Sequence, residues 1–437
     1  METSTSWLLE RIFATALFSV DPYQRTSDNL DPVHREYQQG KYEKLLILGF
    51  GKAACPMTRA AADVLNGSID SGVIITKRGY TGPENFHKKI TIFEAGHPIP
   101  DEDGCNATRQ IIRLAGNNEK NFVLCLISGG GSALLVAPAE GLTLAEKQAV
   151  TDLLLRAGAP IHELNAVRKH LSRVKGGRLA ETFYPARIHS LILSDVLGDR
   201  LDVIASGPMT PDGSTYAEAV SVLEKYRLTD RVPHIVLEHL LKGERGDIPE
   251  TPKADSHLFE RVTQHIIASN RIAVQAAGDA AERMGCQVEI FTWELAGEAR
   301  EAGRRLAEKA LQTKRNKEGN TGKIICLVSG GETTVTVRGE GKGGRSMELA
   351  LSFALAIEGN EGIALLSAGT DGTDGPTDAA GAMVDGRTVS HALTMGFDAG
   401  NFLNRNDSYH FFKNAGGLFT TGPTGTNVMD LQIIIID

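Results

Sequence analysis

Several glycine-rich segments of this chain carry side chains suited to handling an anionic small molecule. Ser128-Gly129-Gly130-Gly131-Ser132 follows the apolar run 122–127 (FVLCLI). Three consecutive glycines let successive backbone N–H groups turn toward one point, an anion nest, and the two serines add hydroxyl donors. A plain tight turn does not require three glycines, so the segment reads as a phosphate-binding loop. It is not a Walker A loop, because G-x-x-x-x-G-K-[ST] occurs nowhere in the chain. Gly49-Phe50-Gly51-Lys52-Ala53-Ala54 follows a second apolar run, 45–48 (LLIL). Gly49, Gly51 and Ala54 fit the G-x-G-x-x-A dinucleotide turn. The acidic residue that should end the next strand is missing, for that strand runs Val73-Ile74-Ile75-Thr76-Lys77-Arg78. A dehydrogenase built on this turn has to take NADP, with Arg78 near the 2′-phosphate. The other reading puts the weight on Lys52, a cation where a helix start already favours anions. A solvated helix-start lysine has the same sequence.

In the basic run 164–178, Asn165, Lys169 and Arg173 share one helix face at i, i+4 and i+8, and Lys175-Gly176-Gly177 follows. Such a face can hold a carboxylate or phosphate, or simply meet solvent. In Ser194-Asp195-Val196-Leu197-Gly198-Asp199, Asp195 lies just past a strand, where a carboxylate can hold Mg²⁺ directly or through water. The loop 367–378 (SAGTDGTDGPTD) spaces Asp371, Asp374 and Asp378 with glycines and threonines. It can supply a base and metal ligands, and a solvated Asp/Gly turn has the same composition. Segments 339–345 (GEGKGGR) and 422–427 (GPTGTN) add further N–H and hydroxyl donors. Finally, CLISGG at Cys125 recurs as CLVSGG at Cys326, which reads either as a second strand-to-turn site at Ser329 and Gly330 on a shared cleft or as a common ending of parallel strands.

These loops need strands to carry them. The runs 45–48, 73–75, 90–93, 122–127 and 191–193 are apolar on both faces, and several run into Gly, Ser or Thr. That is the pattern of parallel strands covered by helices. With helix-like segments such as 53–65 and 144–156 between them, the alternation predicts a doubly wound α/β sheet. The polar, aperiodic stretch 242–255 (KGERGDIPETPKAD) marks a boundary, giving an N-terminal domain over 1–245 and a C-terminal domain over 256–437. The alternation then restarts with strand 266–268, helix 273–284, strand 287–291 and helix 296–312. A surface loop at 314–322 follows, then strands 324–328 and 333–337, a helix from Ser346, and strands 364–366 and 431–436.

At 437 residues the chain exceeds one ordinary core, and 41% hydrophobic with 23% charged residues excludes global disorder. The net charge of −8, with no basic stripe interleaved with aromatics, excludes a nucleic-acid partner. Five cysteines without CxxC spacing argue for a reducing compartment. No 18-residue apolar run is present to span a membrane. Glu10 and Arg11 interrupt the first twenty residues, which do not read as a secretory signal. A cytoplasmic protein, monomer or homodimer, is expected.

Taken together, the motifs resemble the glycerate 2-kinase family, whose C-terminal half is called the MOFRL domain. The match is carried by GFGKAA at Gly49, SGGGSALL at Ser128, LNAVRKHLSRVKGGRLA at Leu164 and SDVLGDRLDVIASGP at Ser194. In the second half it is carried by SGGETTV at Ser329, GKGGRSMELAL at Gly341, SAGTDGTDGPTDAAGA at Ser367 and GPTGTNVMDL at Gly422. The resemblance runs over nearly the whole chain. It implies ATP-dependent phosphorylation of D-glycerate at the 2-hydroxyl, with Mg²⁺, in a cleft between a Rossmann-like domain and a second α/β domain with a mixed sheet. Carried over by motif, Lys52, Arg345 and Asp371 are the implied catalytic set. Asp371 would take the hydroxyl proton while Lys52 and Arg345 stabilise charge on the transferring phosphoryl group. Nucleotide and phosphate binding falls to Ser128, Gly129, Gly130, Gly131, Ser132, Lys175, Ser329 and Gly330, and metal binding to Asp195 and Asp374. In one departure, Ser346-Met347 stand before Glu348 where the family usually shows Asn-Gln. If that amide touches substrate, specificity differs here. An NADPH-dependent hydroxypyruvate reductase is the rival reading, resting on the G-x-G-x-x-A turn alone, and a non-catalytic sensor is the third.

Overall fold

The computed structural model describes residues 5–82, 87–317 and 322–437. The chain forms two compact units, Pro22–Ile267 and a second made of Ala268–Asp437 with the stretch ending at Asp21.

The first unit is built on β1 (Lys44–Phe50), β2 (Ile69–Lys77), β3 (Ile90–Ala95), β4 (Asn121–Ile127), β5 (Arg187–Leu193) and β6 (Val262–Ala268). They form one sheet in the order β3-β2-β1-β4-β5-β6, and β1 to β5 pair in parallel. All of β4 and all of β1 beyond Lys44 are buried, as a sheet covered on both faces demands. The strand order reverses between β1 and β4, so the carboxyl ends of these strands open onto the crevice where such sheets bind ligands. Helices Leu144–Arg156, Ile161–His170, Tyr216–Lys225 and His234–Glu244 enclose a separate apolar cluster that includes Val150, Val167, Tyr216 and Leu223.

The units divide at 267/268 rather than within 246–255. Thr251 donates its hydroxyl to Asp212 at 3.1 Å, and the Pro252 carbonyl accepts the Asp212 N–H at 3.0 Å. The polar stretch is thereby bonded into the first unit, and β6 becomes the sheet's edge. Aperiodic polar sequence marks a loop, but not whether a domain ends there.

The second unit contains β7 (Gln287–Leu295), β8 (Ile325–Gly331), β9 (Ile363–Gly369), β10 (Gly381–Asp385), β11 (Leu418–Phe419) and β12 (Asp430–Ile436). Their order is β11-β10-β9-β12-β8-β7. β7 and β8 are parallel, whereas β12 runs antiparallel between β8 and β9 and β10 antiparallel beside β9, giving a mixed sheet. The first helix, Thr5–Phe18, belongs here, with Phe13 edge-on to Phe419 at 5.2 Å. The expected strand 333–337 does not form. Its backbone makes only an isolated bridge to the distant segment 297–299, with the Thr334 N–H on the Gly297 carbonyl at 2.8 Å and the Thr336 N–H on the Glu298 carboxylate at 3.0 Å. β10 and β11 were not anticipated. Of the expected loop 314–322, residues 314–317 complete the helix Ala299–Lys317, and 318–321 lie outside the described residues. Among the described residues no helix is long and apolar enough to cross a membrane.

Candidate active site

In the first unit, β1 and β4 end side by side with Phe50 opposite Ile127. Gly51 leaves β1 at φ +127°, and a Cβ there would stand 2.4 Å from the Ser128 carbonyl oxygen. Only glycine permits both the backbone angle and the approach. The Lys52 N–H donates to the Gly129 carbonyl (2.9 Å), the Ala53 N–H to Ser128 Oγ (3.0 Å), and the Ser128 N–H to the Phe50 carbonyl (3.1 Å). The glycine loop is thus tied to the β1 turn. Two N–H groups that a dinucleotide pyrophosphate would need are already used, so the G-x-G-x-x-A spacing here serves the packing of two strand ends.

Three side chains ring the glycines. A Cβ on Gly129 would meet Asp195 Oδ2 at 2.1 Å, and one on Gly130 would meet His97 Nε2 at 3.0 Å and Lys52 Cγ at 3.4 Å. The Lys52 ammonium has no hydrogen bond or ion pair among the described residues and is partly exposed. His97 is pushed down to about 4 by burial and then by Lys52 and Lys77, so it is a neutral imidazole at physiological pH. Sequence reasoning missed His97. The signal was its place two residues past β3, at the edge of the sheet where the other loops emerge.

Below the loop the picture differs from expectation. Lys175 was assigned to phosphate, but it is fully buried. Its Nζ donates to the carbonyls of Ser132 (2.9 Å), Leu135 (3.3 Å) and Ala205 (3.4 Å), which makes it the loop's support. Ser132 Oγ lies 2.8 Å from Ser206 Oγ, which donates to Asn165 Oδ1 at 3.3 Å. Lys169 is buried in an ion pair with Asp212 at 3.1 Å, and Arg173 is exposed. The face Asn165/Lys169/Arg173 is therefore not a free cationic strip.

In the second unit, Gly331, Asp430 and Gly369 form one row across β8, β12 and β9. Arg345 opens the helix Arg345–Ala356 and grips Asp430 twice, Nε to Oδ2 at 2.6 Å and Nη2 to Oδ1 at 2.9 Å. Its Nη1 also binds Glu332. Burial raises the Asp430 pKa, with Arg345 opposing, while Asp430 and Glu332 hold the Arg345 proton more tightly than usual against the effect of its own burial. Sequence reasoning gave neither Asp430 nor Glu332 a role, although Asp430 stands in the quoted GPTGTNVMDL segment. Asp371 is half-buried, and its Oδ1 accepts from the Thr373 N–H (3.0 Å) and hydroxyl (3.1 Å).

Asp374, assigned to metal, is engaged elsewhere. Its Oδ1 accepts from the Ser346 N–H (3.1 Å) and its Oδ2 from the Met347 N–H (2.8 Å), so it caps the helix that carries Arg345. Burial, with Asp430 adding, raises its pKa to about 7 despite those bonds. Met347 is buried in the unit's apolar core, and Glu348 pairs with Arg300 at 2.8 Å. The departure at position 347 is thus a core substitution within this unit. Ser329 is buried with its Oγ on Gln432 (3.2 Å), and Gly330 makes room for Asn270, whose Oδ1 would be 2.1 Å from a Cβ. Here the strand runs on through Gly331, whereas β4 ends before Ser128, so the two SGG strings are not equivalent turns. Among the described residues no group of three or more His, Cys, Asp or Glu converges as a metal site.

Residues 8–241 match the family described as a domain of unknown function (DUF4147), and residues 325–430 match the MOFRL family. The chain is 48% identical over 397 residues to D-glycerate 2-kinase of Thermotoga maritima, covering 90% of this chain and 91% of that one. It is 42% identical over 437 residues to glycerate 2-kinase of Pyrococcus horikoshii, covering 98% and 96%. It is also 40% identical over 439 residues to a putative hydroxypyruvate reductase of Agrobacterium vitis, covering 100% and 95%. The crystal structure of glycerate kinase from Thermotoga maritima superposes with a TM-score of 0.89 at 45% identity, covering 98% of this chain and 99% of that chain. The chain belongs to the glycerate 2-kinase family.

Proposed function

We propose that the protein transfers the γ-phosphoryl group of ATP to the 2-hydroxyl of D-glycerate, giving 2-phosphoglycerate. The observation that carries this reading is the Lys52 ammonium, without a partner among the described residues, beside a three-glycine loop tied to the β1 turn. Phosphoryl transfer asks the protein mainly for positioning and charge neutralisation, which backbone N–H groups and cations supply. In this reading Lys52 and Arg345 neutralise the transferring group. Asp371, with one carboxylate oxygen held by Thr373, accepts the hydroxyl proton. Asp195, packed on Gly129, fits a Mg²⁺ site, since a partly exposed carboxylate beside a phosphate loop is a hard oxygen donor; Asp374, already bonded through both oxygens, does not. Mg²⁺ would supply charge neutralisation between phosphate oxygens. We place the reaction in the cytoplasm, a reading supported by five buried, unbridged cysteines.

The test is a coupled assay with D-glycerate, ATP and Mg²⁺, with the product identified by phosphorus NMR. A 2-phosphoglycerate resonance is expected, and no ATP consumption would overturn the reading. The reductase reading draws on the Agrobacterium vitis relative's name, yet the consumed Lys52 and Ala53 N–H groups leave its dinucleotide turn without donors. NADPH oxidation on adding hydroxypyruvate would restore it.

A further inference from the structure

The kinase reading uses Lys52 and leaves a second cation of the first unit without a task. Arg168, on the helix Ile161–His170, is mostly buried, yet its guanidinium makes no hydrogen bond or ion pair among the described residues. Its surroundings carry the same sign. Lys147 and Lys175 are both buried, and both feel the Arg168 charge. Neither ammonium has a carboxylate partner among the described residues. Lys147 Nζ donates to the Arg168 and Leu171 carbonyls at 2.8 Å each, and Lys175 Nζ to the three carbonyls named above. The nearby Asp212 is committed to Lys169, Ser214 and Thr251. Among the described residues the two lysine ammoniums thus bond to carbonyl oxygens alone. Lysine can shed its proton when buried, but arginine keeps its charge and needs a counter-charge.

The position says where that counter-charge comes from. Asn165 precedes Arg168 by three residues on the same helix side and is linked through Ser206 to Ser132 of the glycine loop. We propose that Arg168 is an anion-recognition residue, its guanidinium fork taking two oxygens of a carboxylate or phosphoryl group bound against Ser132 and the glycine loop. The inference rests on the kinase reading, in which hydroxy acid and nucleotide both bring such oxygens. The planar fork matches either group bidentately, which lysine cannot do.

The experiment compares wild type with Arg168→Gln and Arg168→Lys. It measures KM for D-glycerate and for ATP separately, calorimetric binding of D-glycerate and of a non-hydrolysable ATP analogue, and melting temperature. One reactant's KM and Kd should rise roughly ten- to hundredfold in Arg168→Gln, the scale of a lost charge-assisted pair. Arg168→Lys should recover only part of this. The Gln variant should melt no lower than wild type, because it removes an uncompensated buried charge. A rise confined to D-glycerate identifies the carboxylate and one confined to the nucleotide identifies the phosphate; either supports the proposal. Unchanged KM and Kd for both reactants in the active variants overturn it, as does a lowered melting temperature with binding intact, which would make Arg168 a packing residue. Wild-type protein without ATP-dependent turnover would overturn the kinase reading instead, and the calorimetric arm would still read anion binding.

Discussion

Replacing Asp430 with asparagine asks how Arg345 is held. The two bonds between them, at 2.6 and 2.9 Å, pair both guanidinium edges with both carboxylate oxygens. Asparagine keeps one acceptor and turns an amide N–H₂ toward the other nitrogen, so one charge-assisted bond is lost. Such a bond contributes about 1.5–3 kcal/mol. The Arg345 side chain is 33% exposed, and Glu332 still binds it from the more open side, so screening pulls the cost toward the lower end of that range, about 1.5–2 kcal/mol. At 1.36 kcal/mol per factor of ten, turnover should fall about ten- to thirtyfold. If Arg345 acts on the transition state, kcat and kcat/KM fall together while KM stays. Steady-state kinetics with urea unfolding of the same preparation checks this. A kcat within about twofold of wild type at unchanged stability would refute the idea that Asp430 positions Arg345, and a loss seen only in KM would show that Arg345 binds substrate without serving the transition state.

Three further outcomes are expected. Lys52→Ala and Arg345→Ala should each lower kcat by roughly a hundredfold or more, the scale of losing one charge stabiliser in a preorganised site; near wild-type turnover in either variant removes its role. Gly51→Ala forces a Cβ to 2.4 Å from a backbone oxygen at φ +127°, and should destabilise the protein by about 2–5 kcal/mol, read as a shifted urea midpoint. His97 is held at about 4, below its unfolded value, so the folded state resists its protonation. The stability this contributes is present above about pH 6.5 and is lost as pH falls from there toward 4. His97→Gln should therefore lose less stability than wild type between pH 7 and about 4.5, and parallel losses would mean that the imidazole is not buried as described.

What could be read from the chain alone was local. Apolar runs such as 45–48 and 122–127 became the two central strands of the first sheet, because a strand buried on both faces must be apolar throughout. The glycines of Ser128–Ser132 marked a real loop, because positive backbone angles and close approach leave a compositional trace. The family resemblance rested on those traces. The partners of polar groups left none, since they come from strands and helices distant in the chain. Lys175 looks like a phosphate ligand until its three carbonyl partners are seen, which lie 30 to 43 residues away in sequence. Asp374 resembles a metal ligand until it is found capping a helix 27 and 28 residues earlier. Asp430 reads as one more strand-end aspartate until the sheet brings it to Arg345, 85 residues before it. A buried charge takes its role from what surrounds it, and only tertiary packing decides those surroundings.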